Sequence, residues 1–437
     1  MKFKILSLSM LLAFSNICIA KNLYISPNGS DNNSGTLSSP LKTIMAAQTA
    51  ASSGDTVYIR GGTYYLDDSN ITQYQSVRAI VNNITKDNIS YINYGSERPV
   101  FDFSNVKPEN YRNTAFMVRA DNCVFKGFDV VGVQVTIDDQ HTQSEAFMVN
   151  KGSGNRFENL AIHDGMAIGW YLVAGSNNYV LNVDAYNNQG LNSYSNGNVD
   201  GFGAHPTSSS YTGNVISHSR AWFNSDDGFD LINADAAVTI EYSWAFYNGY
   251  DQDFNRIGDG NGFKAGGYGS NGSTPPSVIP RHTIRYNLAV RNSSAGFYAN
   301  HHIGGQNWIN NTSIRNQSSN YNMLSTLDDN DTDVDGYDHY MRNNLGFDGH
   351  NEVINLGDST ENDISYNYFN LPVTITSKDF VRLDENELMY ARQADGSLPK
   401  IKYALLKKGS DLIDAGMDIG DDYNGTAPDL GAFESDY

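Results

Sequence analysis

The chain has 437 residues, with 49 Asp and Glu against 29 Lys and Arg, and a formal net charge of −20. So acidic a surface excludes nucleic acid and anionic membrane as natural partners, and it would repel an acidic polymer unless a cation mediated the contact. Of two cysteines, Cys18 lies near the N-terminus and Cys123 stands alone thereafter, so packing and hydrogen bonds rather than an internal disulfide must hold the fold.

Residues 1–20 read as a secretory signal: Lys2 and Lys4, an apolar run from Ile5 to Phe14, and Cys18-Ile19-Ala20 before Lys21. The run is too short to anchor the chain in a bilayer, and no later segment is apolar enough for a membrane span. Cleavage after Ala20 would remove two lysines and take the charge from −20 to −22. A secreted, periplasmic or extracellular location is expected, and a monomer.

From about residue 21 to 65 the pattern predicts a strand at Leu23–Ser26, a Gly/Asn/Ser loop, a helix carrying Leu41, Ile44, Met45 and Ala47, and a strand at Thr56–Arg60. Such a helix can cover the open end of a solenoid. A ladder of short alternating segments follows, each running into Asn or Asp: Phe157 and Asn159 into Asp164, Val180 and Asn182 into Asn187, Ile216 and Ser219 into Asn224. The same phrase leads Ile240 and Ser243 into Asn248, Ile284 and Asn287 into Asn292, and Ile309 and Asn311 into Asn316. Several steps are about 24 residues and the longer ones carry loop insertions, a spacing that means a solenoid. The expected fold is all-β: one right-handed parallel β-helix domain with an N-terminal capping helix. Its Asn positions would stack as a buried side-chain ladder. Residues from about 375 to 437 would form a closing segment.

Between Asn198 and His301 a second phrase recurs: Val199-Asp-Gly-Phe202, Asp226-Asp-Gly-Phe229, Gly260-Asn-Gly-Phe263 and Ser294-Ala-Gly-Phe297, with Trp170 as an earlier member. If Phe points inward, the next residue points out, which makes an outward column of Tyr171, Gly203, Asp230, Lys264 and Tyr298. Two positions before Phe stand Asp200, Asp227, Asn261 and Ala295; Asp226 lies one earlier still, beside the turn.

Asp200, Asp226, Asp227 and Asp230 would thus converge, and four neighbouring carboxylates cannot all stay ionised without a cation. Hard oxygen ligands in this number suit Ca²⁺ rather than zinc. Lys264 would sit one coil from Asp230, beside the metal but not bound to it. These parts compose a lyase centre for a uronic acid polymer: the metal draws charge from the C6 carboxylate, and Lys264 removes the acidified C5 proton. Calcium also reconciles an acidic enzyme with an acidic substrate.

Asn198-Val-Asp200-Gly-Phe, Asn224-Ser-Asp-Asp-Gly-Phe-Asp230-Leu and Gly258-Asp-Gly-Asn-Gly-Phe-Lys264 resemble, in order and interval, the metal and base motifs of polysaccharide lyase family 9. Tyr24-Ile-Ser-Pro-Asn-Gly-Ser-Asp31 and Gly54-Asp-Thr-Val-Tyr-Ile-Arg60-Gly-Gly-Thr-Tyr64 are similar too. The resemblance implies a right-handed β-helix, Ca²⁺ on Asp200, Asp226, Asp227 and Asp230, Lys264 as Brønsted base, and the pectin backbone as substrate. Pectate-cleaving members tend to carry a lysine shortly after the first Asp-Gly-Phe, where this chain has His205. Only Arg220 and Arg256 fall between Asp200 and Lys264, whereas a run of galacturonates calls for several cationic contacts. Rhamnogalacturonan I alternates galacturonate with rhamnose and needs fewer cations and more apolar surface. The expectation is therefore a rhamnogalacturonan lyase, with a pectate lyase as the alternative. Tyr171, His205, Arg256, Tyr268, Tyr298 and His301 are the candidate sugar contacts.

Two other classes stay open from the residues. A β-helix glycoside hydrolase of the polygalacturonase type should show a Gly-His-Gly-like motif near its aspartates; Gly349-His350-Asn351 lies far downstream. A non-catalytic glycan-binding solenoid would have no need for Lys264 beside a carboxylate cluster.

Overall fold

The computed structural model describes residues 20–137, 143–190, 198–269 and 274–437; the signal segment therefore falls outside the described residues except for Ala20. Three sheets of 12, 10 and 11 strands, parallel except for an antiparallel pair at the edge of the third, carry most of the strands. Each coil contributes one short strand per sheet, as in Asn214–Ser217, Arg220–Trp222 and Phe229–Asp230. This is the right-handed parallel β-helix expected from the repeat. No helix among the described residues is long and apolar enough to cross a membrane.

The inward columns explain why the coils stack. Val180, Ile216, Ile240 and Ile284 align in the first sheet, and Ala185, Ala221, Ala245 and Ala289 in the second. In the third, Phe202, Phe229, Phe263 and Phe297 are fully buried, with ring centroids 4.8, 4.7 and 4.9 Å apart. That is the inter-strand spacing of a parallel sheet. The glycine before each Phe has a steric cause. A Cβ on Gly201 would lie 2.7 Å from the Ala221 methyl and 2.8 Å from the Gly228 carbonyl oxygen. Gly228 and Gly262 meet the next coil's carbonyl in the same way, at 2.7 and 2.6 Å. Gly-Phe is thus the signature of a tight corner followed by a core position.

Asparagine ladders hold the turns. Asn188, Asn224, Asn248, Asn292 and Asn316 pass Nδ2–H to the next Oδ1 at 3.0–3.1 Å. Each of the last four also donates Nδ2–H to a backbone carbonyl on the preceding coil. The expected members Asp164 and Asn187 are off by one. They occupy the left-handed turn position, φ 54° each, pair with each other at the surface, and leave the ladder to Asn188. Ile309 slips likewise: it aligns with Arg285, and Trp308 takes the core position beside Ile284. A second ladder, Asn287–Asn311–Asn344–Asn367, continues a pair of serines, Ser219 and Ser243.

The N-terminal helix forms at Ile44–Ala50, where the Thr43 hydroxyl accepts the Ala46 N–H at 3.1 Å and Ile44 and Ala47 turn into the core. The C-terminal segment runs back along the flank: Glu385 pairs with Arg291 and Arg315, the Leu388 and Tyr390 carbonyls accept from Arg220, and Arg392 reaches Asp184. Asp184, buried between Arg220 and Arg392, is driven up by burial, but the two guanidiniums overcome this and hold it at about 2.

Candidate active site

The site lies on the outward face of the third sheet, on the strands Ala167–Ala174, Phe202–Ala204, Phe229–Asp230, Phe263–Lys264 and Ala295–Tyr298. Tyr171, Gly203, Asp230, Lys264 and Tyr298 are register partners in succession, as the inward Phe positions require. Asp200, Asp227, Asn261 and Ala295 form the adjoining column. There each side-chain oxygen accepts the backbone N–H of its successor: Asp200 from Asp227 at 3.2 Å, Asp227 from Asn261 at 2.7 Å, Asn261 from Ala295 at 3.1 Å. Asn261 Nδ2 also donates to Asp227 Oδ1 at 2.8 Å, which fixes that carboxylate.

Asp200, Asp227 and Asp230, all buried, bring one oxygen each within 4.8 Å of the others. Asp227 Oδ2 is buried without a hydrogen-bond partner, although Lys264 Nζ stands 3.1 Å away. The Lys264 ammonium donates instead to Asp230 Oδ2 at 3.2 Å. Three convergent carboxylates with an unsatisfied buried oxygen fit a hard cation. Asp226 is buried as well but lies outside this set of mutually close oxygens.

Burial, then neighbouring carboxylates, push Asp200 and Asp226 well above the ordinary carboxylate range. Asp227 is also raised, chiefly by burial, with Lys264 opposing. For Lys264, burial works against the ammonium, but Asp227, Asp230, Asp226 and Asp200 outweigh it and hold the pKa well above a free lysine's. With its carboxylates uncompensated, the lysine is a cation locked into the cluster.

Gly203 clears space beside it. A Cβ there would lie 2.7 Å from the Tyr171 ring, which packs edge-on against His205 with centroids 5.0 Å apart. The Tyr171 hydroxyl lies 3.3 Å from His205 Nδ1, and His205 Nε2 lies 4.0 Å from Asp230 Oδ2 with no hydrogen bond of its own. Burial lowers the His205 pKa against the pull of Asp230. Tyr298 adjoins Lys264 on the other side, and burial pushes its phenol up to about 12. His301 sits beyond it, ring centroids 6.0 Å apart.

Two expected contacts fall elsewhere. Tyr268 is 2% exposed, donates to the Ala234 carbonyl at 3.2 Å and packs on His302; it is a wall of the coil, not a sugar platform. Arg256 is exposed on the loop before Lys264 and donates to the Gly258 carbonyl. Sequence reasoning missed an ion cluster on the same face. Arg78 and Arg112 are register partners, and both reach the fully buried Glu145, which Thr114 also contacts at 2.9 Å. Three residues so far apart in the chain meet only through coil stacking and leave no local signal.

Fold and geometry thus define a β-helix protein with a buried carboxylate–lysine centre on one face. A Pel9A-like right-handed β-helix model matches residues 23–348. Pectate lyase L of Dickeya chrysanthemi is 35% identical over 96% of this chain and 92% of its own, and that of Paenibacillus polymyxa 33% over 93% and 86%. Among solved structures, a rhamnogalacturonan lyase superposes with a TM-score of 0.86 at 43% identity, covering 89% of this chain and 97% of its own. Pectate lyase Pel9A gives 0.75 at 31%, covering 96% and 97%. The chain belongs to the Pel9A-like right-handed β-helix family, within polysaccharide lyase family 9, and these relationships support a pectin-degrading polysaccharide lyase.

Proposed function

We propose that the protein is a secreted, Ca²⁺-dependent rhamnogalacturonan lyase that cleaves the galacturonate-containing backbone of pectin by β-elimination. The observation that carries the reading is Lys264, half-buried one coil from Asp230 and within 3.2 Å of two carboxylates. Asp200, Asp227 and Asp230 would hold the metal, with Asp226 as fourth ligand. Bound Ca²⁺ would supply the missing positive charge and polarise a galacturonate C6 carboxylate, which acidifies the proton on C5.

The chain's own residues do the rest. Asn261 fixes Asp227, and the Asp200–Asp227 stacking fixes the face of the cluster. With the carboxylates engaged by the metal, Lys264 Nζ would be freed as a neutral amine to take the C5 proton; the C4–O electron pair would leave with the glycosidic oxygen, which takes a proton from water, and a C4–C5 double bond would remain. Tyr171, His205 and Tyr298 border the sugar and restrict water around the amine. Elimination is favoured over hydrolysis by the lysine set among the carboxylates, since hydrolysis would call on two carboxyl groups alone.

Rhamnogalacturonan I is favoured over homogalacturonan by the 43% identity to the rhamnogalacturonan lyase and by a histidine rather than a lysine at His205 beside the cluster. The second reading, pectate lyase, rests on relatives such as that of Dickeya chrysanthemi. The test incubates mature protein with rhamnogalacturonan I and with polygalacturonate, with and without chelator, and follows the ultraviolet absorbance of the unsaturated product. Chelator-sensitive absorbance from rhamnogalacturonan I is expected. New reducing ends without that absorbance would mean hydrolysis.

A further inference from the structure

A cavity of about 290 Å³ opens beside the row that holds the lysine, spanning the coils of Asp230, Lys264 and Tyr298. Its lining includes Ile232, Asn300, His301, Thr326, Asp331 and Asp333. Ile232 follows Asp230 by two residues, and Asn300 and His301 follow Tyr298, so the cavity continues the row that holds the carboxylate–lysine centre. Asn300 and His301 both adopt left-handed backbone, φ 57° and 55°, which swings the chain outward to form a wall. The opposite wall is a hairpin in which Ser325–Thr326 pairs antiparallel with Asp333–Val334. It is tied back by the His301–Asp333 contact and by Asn330 Nδ2 donating to the Gly269 carbonyl at 3.1 Å.

The chemistry of this lining is unlike that of a uronate site. Among the described residues none lining it is Lys or Arg, and two are exposed aspartates. A second galacturonate placed here would set its C6 carboxylate against Asp331 and Asp333. A neutral sugar would instead offer hydroxyls to carboxylate and amide acceptors, and the half-buried Ile232 offers an apolar patch for a methyl group. We infer that this cavity is a subsite for a neutral 6-deoxyhexose, directly adjoining the galacturonate at Lys264, and that its acidic wall excludes homogalacturonan. The inference rests on the lyase reading and names the residues that would select its substrate.

The test compares wild type with the Asp331→Asn/Asp333→Asn double variant on rhamnogalacturonan I and polygalacturonate oligosaccharides. Asparagine keeps the hydrogen bond to His301 and both sites are exposed, so folding is retained, as circular dichroism would verify. The ratio of kcat/KM for polygalacturonate over that for rhamnogalacturonan I should rise about tenfold or more. Ile232→Ser should raise KM for rhamnogalacturonan I several-fold with little change in kcat. A folded double variant with an unchanged ratio would overturn the subsite and leave the lyase reading standing. Wild type turning over polygalacturonate alone would overturn the substrate reading itself.

Discussion

Two stacked polar columns run along the same coils and differ by one atom type. In the ladder Asn188–Asn224–Asn248–Asn292–Asn316 each amide accepts from one neighbour and donates to the next, so every internal member is satisfied. In the column Asp200–Asp227–Asn261–Ala295 side-chain oxygens again accept backbone N–H groups across coils, here from the following coil rather than the preceding one. A carboxylate has no hydrogen to pass on, so repetition leaves surplus lone pairs and charge. The first column closes on itself and stabilises; the second stays open and demands a cation. One stacking device therefore serves both fold and chemistry, and the choice of Asn or Asp decides which.

Exchanging the chemistry of the columns tests this comparison. The largest effect is expected on activity. Lys264→Ala should lower elimination about 10³-fold with the fold intact, as measured by initial rates and circular dichroism. Asp227→Asn should lose activity to a comparable degree and weaken Ca²⁺ affinity by calorimetry. The reciprocal change, Asn248→Asp, places a buried anion against the Ala221 carbonyl and Asn292 Oδ1, which Nδ2 now contacts at 3.0 Å each. It should cost about 3–5 kcal/mol in denaturant unfolding.

A smaller effect concerns pH. The folded pKa values of Asp200, Asp226 and Asp227 lie above their unfolded values. The folded protein therefore binds more protons than the unfolded chain between about pH 4 and those raised values, and stability falls as pH climbs through that window. The raised Lys264 works in favour of the fold, and its contribution is lost only as pH rises through its own folded pKa. In chelator, Asp227→Asn should accordingly be more stable than wild type at pH 7 by about 1 kcal/mol, and the gap should shrink as pH is lowered toward 4. Saturating Ca²⁺ should reverse the order. Last, Gly203→Ala would press the Tyr171 ring, 2.7 Å from the new Cβ, and lower kcat/KM by roughly tenfold or less.

Much of this was readable from spacing. Phe202, Phe229, Phe263 and Phe297 fixed the register because a coil repeats its core residue, and the period-2 alternation then placed Asp230 beside Lys264. The reasoning failed where the turns break that alternation. Asp164 and Asn187 look like ladder residues, but the left-handed turn takes one extra position and hands the ladder to Asn188. Tyr268 was offered as a sugar surface from its residue type alone, and beyond Gly266 and Gly267, both at positive φ, its ring is buried. The Arg78–Arg112–Glu145 cluster was invisible because its members share only an axis.

The sequence by itself determined the solenoid, the inward Phe column and the residue types of the centre, since each follows from a repeated local pattern. Only the tertiary structure decided the rest. It showed that Asp200, Asp227 and Asp230 close to within 4.8 Å and exclude Asp226 from that set. It showed Lys264 held as a cation between two of them, and it raised the hairpin wall of the neighbouring cavity. The physical reason is that register fixes which residues share a rung, while turn geometry and burial fix where their charged ends meet.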